Sequence, residues 1–200
     1  MSDEIKPLSM EKKTDRKILL FGSAGAGKTT TIKTLCDSFI LDESHGSVML
    51  DCGKLKLSSS EDLLLYATHD HDYSKSILPE AAWHHLKNDM VGIILLIDNR
   101  RKDPLRDLET FLLKLSSQNR NKNIFDQLVV GITHFDSSRT PAISDFHSFM
   151  DDLDLLPQQS PPVFSVDTRS FQDISMLIQA LLYSLEPTMN TMCLKENGYS

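Results

Sequence analysis

The sequence predicts an α/β fold, a six-stranded mostly parallel sheet flanked by about five helices. Three observations carry this. Short apolar segments of strand length alternate with amphipathic segments of helix length along the 200 residues, and that alternation puts helices on both faces of a parallel sheet. Met90–Asp98 (MVGIILLID) is apolar almost without interruption, as in a parallel strand covered on both sides. A glycine-rich turn separates the first strand from the first helix, and ligands of such folds bind at the carboxyl ends of strands.

The elements follow in order. Residues 1–16 are polar and read as a flexible arm. Lys17–Gly22 (KILLFG) is a short buried strand. The glycine turn opens a helix from Lys28 to about Phe39, with Ile32, Leu35 and Phe39 on one face. Residues 40–46 (ILDESHG) read as a polar connection. Ser47–Leu57 alternates at period two around Cys52-Gly53, which predicts an extended or hairpin-like element. Asp62–Ala67 is a second buried strand, and Pro79 starts a short helix bearing Ala82, Trp83 and Leu86. After the Met90 strand, Asp103-Pro104 is an N-cap with proline at the first helical position. Its helix turns Leu105, Leu108, Phe111, Leu112 and Leu115 inward. Gln127–Thr133 is a strand, a weaker helix lies around Ile143–Leu153, and Pro162–Val166 is the last strand. Ser170 and Asp173 resemble a capping box for a final helix with Ile174, Leu177, Ile178 and Leu181 on one stripe. Pro187 stops that helix. Residues 17–186 thus form one domain, and 187–200 a loose tail.

Composition narrows the function. A formal charge of −7 disfavours nucleic acid as the main partner. No apolar run reaches the roughly 20 residues of a membrane helix. The charged N-terminus predicts no signal peptide, and neither common lipidation signal is present. Three cysteines without metal-ligand spacing fit a reducing, cytoplasmic setting.

The turn itself, Gly22-Ser-Ala-Gly-Ala-Gly-Lys-Thr29, matches the phosphate-loop pattern G-x-x-x-x-G-K-[ST]. Gly22, Gly25 and Gly27 let the backbone wrap phosphate oxygens with inward N–H groups, and the helix N-terminus adds attraction for anions. Lys28 supplies an ammonium to the β/γ-phosphates and Thr29 a hydroxyl to Mg²⁺. Ser23, Ala24, Ala26 and Thr30 complete the candidate phosphate-binding set.

Two later segments bear on the base. Thr133-His134-Phe-Asp136 (THFD) ends one strand, and Ser165-Val-Asp167-Thr168-Arg169 (SVDTR) ends the next. An aspartate can accept from guanine N1–H and N2–H₂, a donor pair adenine lacks, so it discriminates between them. A backbone N–H of the second segment can donate to guanine O6.

This order of loop, two switch segments and two base-reading segments resembles the Ras-like small GTPases. It is most similar to the bacterial branch related to the gliding-motility, Mgl-type GTPases, over roughly residues 16–186. The resemblance implies a P-loop Ras-like G domain binding GTP or GDP with Mg²⁺. Asp136 matches the guanine-reading aspartate, while Thr133 and His134 replace the asparagine and lysine of N-K-x-D. Asp167, Thr168 and Arg169 match the second base-reading run. Ser47-Val-Met-Leu-Asp51-Cys-Gly53 resembles the branch's T-V-x-x-D-[FG], so Ser47 is the implied second Mg²⁺ ligand. No arginine lies between Ile40 and Lys54 to stimulate hydrolysis. Tyr66–His71 aligns with the second switch: Ala67 stands at the Mg²⁺-linked aspartate, Asp70 replaces the phosphate-sensing glycine, and His71 replaces the water-orienting glutamine. A histidine can take that water-orienting role, so His71 and Lys28 are the candidate catalytic residues.

The stretch Leu65–Tyr73 (LYATHDHDY) could also be read as a metal cluster, but no frame of three or four fixed ligands supports a zinc site. The expectation is a cytoplasmic, slowly hydrolysing, partner-stimulated GTP switch. By resemblance its effector or activator is a Roadblock-type protein at a membrane-associated machine. The alternatives are a hydrolysis-deficient nucleotide-binding scaffold and a P-loop ATP-dependent kinase.

Overall fold

The computed structural model describes residues 14–45, 48–58, 61–68, 78–118, 122–153 and 160–185. Seven strands form one sheet, ordered β2-β3-β4-β1-β5-β6-β7. They are β1 (Thr14–Gly22), β2 (Ser38–His45), β3 (Val48–Lys56), β4 (Glu61–Thr68), β5 (Met90–Asp98), β6 (Leu128–Thr133) and β7 (Val163–Ser165). β4, β1, β5, β6 and β7 run parallel, while β2 and β3 pair antiparallel at one edge. The α-helices are α1 (Lys28–Leu35), α2 (Glu80–Leu86), α3 (Pro104–Gln118), α4 (Ile143–Asp151) and α5 (Phe171–Leu185).

The helices divide between the two faces, which explains the unbroken apolarity of β5. Ile93, Leu95 and Ile97 pack with Leu86 of α2, Leu108 and Leu112 of α3, and Phe146 of α4. Ile94 and Leu96 pack on the opposite side with Ile32 of α1 and Ile174, Leu177 and Leu181 of α5. The expected caps are present. Asp103 Oδ1 accepts the Arg106 N–H at 3.0 Å, and Ser170 Oγ accepts the Asp173 N–H at 3.2 Å.

Three expectations are corrected. The sheet has seven strands, because residues 40–45, read as a polar connection, lie in β2. Helix α1 stops at Leu35 rather than near Phe39, since Cys36 turns extended and Asp37 N–H donates to Lys54 O at 3.0 Å. Phe39 is therefore half-exposed, with the Lys33 ammonium 5.5 Å from its ring centroid. Residues 14–16, read as part of the arm, belong to β1 in register with Glu61, Asp62 and Leu63. A 3₁₀ turn at Lys122–Gln127 precedes β6.

Candidate nucleotide site

The central strand β1 runs directly into the glycine turn, with β4 and β5 on its two sides. Gly25 and Gly27 take φ of 78° and 96°, in the left-handed region that glycine enters without cost. Gly27 is also pressed against the 165–169 segment: a Cβ there would lie 2.6 Å from both Cγ2 and Oγ1 of Thr168. Lys28 is buried over the turn, its ammonium donating to the carbonyls of Gly22 at 2.8 Å and Ser23 at 3.0 Å. These two acceptors fix the ammonium above the loop before any ligand arrives. Ala24 and Gly25 are exposed, Ala26 is buried, and Ala26 N–H closes the turn onto Ser23 O at 3.2 Å. Thr30 lies at the rim of the adjoining pocket.

Thr29 has a partner that the sequence did not reveal. Its hydroxyl donates to Asp51 Oδ2 at 2.5 Å. Asp51 is 4% exposed and lies on β3, directly across from Ala67 of β4. Ala67 is the position that aligns with the Mg²⁺-linked aspartate of the wider Ras-like pattern. The neighbouring strand therefore brings a carboxylate to the Thr29 hydroxyl from one strand away. Only the pairing register places Asp51 beside Ala67, so sixteen positions of sequence separation hid it. A hydroxyl and a carboxylate are hard oxygen donors of the kind Mg²⁺ takes, usually one or two from protein with the rest from phosphate and water. Among the described residues no group of three or more His, Cys, Asp or Glu could hold a metal ion. Ser47, Asp70 and His71 lie outside the described residues.

Beside the turn is a pocket of about 340 Å³, lined by Gly25, Gly27, Thr30, His134, Phe135, Asp136 and residues 165–169 with Asp173. It joins the expected elements from three strand ends. His134, at φ 57°, reaches back across 109 positions so that its Nε2 meets Gly25 O at 3.0 Å. A carbonyl only accepts, so Nε2 carries the proton there. The imidazole thus ties the 133–136 segment to the glycine turn. Asp136 stands two-thirds exposed at the pocket. Thr133 instead turns inward: it is buried, and its hydroxyl donates to Ile97 O at 3.2 Å. It braces the strand end without lining the pocket.

The second segment is held from below. Asp167 N–H donates to Asp173 Oδ2 at 2.8 Å, and Thr168 O accepts the Thr34 hydroxyl at 2.9 Å. Arg169 forks onto Asp167, Nη2 to Oδ2 at 2.8 Å and Nε to Oδ1 at 2.9 Å, and its Nη2 lies 3.7 Å from Asp136 Oδ2. The Arg169 hydrogen bonds pull the Asp167 carboxyl down to a pKa of about 2. Asn99 is a further residue the sequence did not single out. Its amide nitrogen donates to Ser138 O at 2.7 Å and Pro141 O at 3.2 Å, holding the loop that follows Asp136.

A larger concavity of about 1090 Å³ lies at the opposite end of β6, between α4 and α5, remote from these groups. Size alone is a poor guide here. The smaller pocket is the one where the glycine turn meets the ends of β6 and β7.

A glycine turn at the end of the central strand β1, with the 133–136 and 165–169 segments at the ends of β6 and β7, is the arrangement of the P-loop GTPase G-domain fold. Solved structures of that class match the chain. It is similar to the Arl6 (BBS3) small GTPase from Trypanosoma brucei with bound nucleotide analogue GppNp, at a TM-score of 0.62 and 10% identity, over 87% of this chain and 99% of that one. It is similar to the G domain of the FeoB iron transporter of T. maritima, at 0.55 and 14%, over 85% and 98%. The cytosolic domain of the same transporter in a GDP form matches at 0.53 and 14%, over 88% of this chain and 65% of that one. No family model and no curated protein matches.

Proposed function

We propose that this chain is a small GTP-binding switch that binds GTP and GDP with Mg²⁺ and hydrolyses GTP slowly. The observation that carries the reading is the His134–Gly25 bond, which joins the base-reading segment to the phosphate loop while Asp136 opens to the same pocket. The nucleotide-bound state of the Arl6 and FeoB structures supports it. His134, Asp136, Asp167, Thr168 and Arg169 form the base side, and Thr133 braces the strand end behind them. Asp136 accepts from guanine N1–H and N2–H₂, and a segment N–H donates to O6.

On the phosphate side, the loop N–H groups and Lys28 hold the oxygens where charge develops during transfer. Thr29, Asp51 and Ser47 would hold Mg²⁺, which when bound neutralises phosphate charge. His71 orients the attacking water from the segment after β4, and Asp70 presents its N–H to the terminal phosphate. Partner stimulation supplies what the arginine-free 40–54 segment lacks. We assign the partner to the Roadblock type and the setting to the cytoplasm of a bacterium, beside a membrane-associated machine. Among the described residues no helix is long and apolar enough to cross a membrane.

Affinities for GTP and ATP, measured side by side on the full chain, test the reading. GTP preference is expected; equal binding or ATP preference refutes it and returns the kinase alternative. The Asp70 and His71 replacements favour one second reading, a nucleotide-binding scaffold that does not turn over. Single-turnover hydrolysis separates the two: restoration by Asp70→Gly with His71→Gln marks the scaffold.

A further inference from the structure

The turn after β5 sets beside Gly25 of the phosphate loop a cation that the reading above leaves unused. Asp98 ends β5 and is nearly buried. Its Oδ1 accepts Arg100 Nε at 3.0 Å and Arg100 N–H at 3.0 Å, and its Oδ2 accepts Nη2 at 2.8 Å. This pair abuts the loop. A Cβ on Gly25 would stand 3.6 Å from Asp98 Oδ2 and 3.8 Å from Arg100 Nη2. The Arg100 side chain is 48% exposed. The adjacent Arg101 is engaged elsewhere, by Asp107 of α3.

The same device recurs on the other side of β6. Asp167 and Arg169, again two residues apart at a strand end, make the same fork, and that arginine lines the base pocket. Two braced guanidiniums therefore flank the loop that carries His134 and Asp136, one by the base and one by the phosphate turn.

We propose that Arg100 is a phosphate-contacting residue of this site, a second cation beside Lys28 that engages the terminal phosphates of the bound nucleotide. The proposal rests on the GTP-binding reading and names one more residue of that site. Guanidinium carries five N–H donors in a plane, and the Asp98 fork occupies one edge. The opposite edge is free for a phosphate oxygen, so one side chain serves a carboxylate and a phosphate at once. Asp98 sets the direction of that edge. The electrostatic need is plain: Asp51, Asp98 and Asp136 surround the loop in a chain of net charge −7, and residues 40–54 hold no arginine.

The test is calorimetric titration of the full chain, wild type against Arg100→Ala and Arg100→Gln, with GMP, GDP and GTP. The glutamine variant keeps hydrogen-bond donors toward Asp98 and loses the charge, so it decides the matter if the alanine variant does not fold. Either variant is expected to weaken GTP about tenfold, by the worth of a hydrogen bond to a charged group, and GDP less, with GMP unchanged. Equal losses for all three nucleotides, or none, overturn the proposal and leave Arg100 as a brace for the β5 turn. Wild type that binds none of the three overturns the GTP reading itself, and this proposal with it.

Discussion

Replacing Asp51 with asparagine removes one charge and almost no volume, which makes it the sharpest probe of the site. The carboxylate is 4% exposed and accepts the Thr29 hydroxyl at 2.5 Å. Asparagine keeps an acceptor oxygen for that hydroxyl, so the hairpin and the loop should hold their places. What changes is the field on a cation beside Thr29. Two unit charges about 4 Å apart attract by about 4 kcal/mol at an effective dielectric near 20. A divalent ion doubles that, and dehydration of both groups offsets most of it. A net loss of about 2 kcal/mol remains, the usual worth of a contact to a charged group, or roughly thirtyfold in affinity. Little of it is screened by salt, because the carboxylate is buried. The assay is GTP affinity for wild type and Asp51→Asn, each with Mg²⁺ and with chelator. The loss should appear with Mg²⁺ and vanish, or reverse, with chelator. An equal loss in both conditions refutes the metal role and makes Asp51 a brace for Thr29. No loss in either refutes the argument altogether.

Other outcomes follow from the same geometry. Gly27→Ala meets Thr168 at 2.6 Å in a left-handed conformation, so thermal unfolding should show a loss of about 2 kcal/mol or more; adding Thr168→Ala should return only the steric part. His134→Ala cuts the tie to Gly25 O and should weaken GTP about threefold to tenfold without changing the preference over ATP, as competition binding would read. Asp167 has its carboxyl lowered to about 2 by Arg169. A depressed pKa contributes stability above the unfolded value that fades as pH falls toward the folded one. Denaturant midpoints of wild type should therefore drop between about pH 5 and pH 2, more steeply than those of Asp167→Asn. Asp98 titrates the same way: burial raises its carboxyl, but the Arg100 bonds and neighbouring positive charges outweigh this and hold it below the usual range.

The strands β1, β4, β5, β6 and β7 were legible from their buried apolar stretches, while the polar start of β1 at 14–16 was not. The phosphate loop was legible because its glycines, lysine and threonine are contiguous. β2 was not. Ile32, Leu35 and Phe39 share a helical stripe, and the charged run Asp42-Glu43 looks like a connection. Edge strands carry charge for good reason, since an apolar edge invites aggregation. Their pattern therefore hides them. The contacts of Asp51 with Thr29 and of Arg100 with the glycine turn were hidden for a different reason. Each depends on a neighbour brought close by register or by a turn, and neither register nor turn geometry can be read from residue types. Thr133 shows the reverse error. Position in the motif suggested a ligand contact, while the hydroxyl satisfies a buried carbonyl.

The bond between His134 and Gly25 links the two half-sites like the arms of a caliper. For a nucleotide bound as proposed, base and phosphates are two grips on one body held at a fixed span. While one grip holds, the other sees its target at a very high effective concentration. Departure then requires both to fail together, and fragments carrying one half alone bind far more weakly than the whole. Residence time would be set by the span as much as by either grip. A partner that shifts the imidazole by an ångström or two would shorten that residence without touching the ligand.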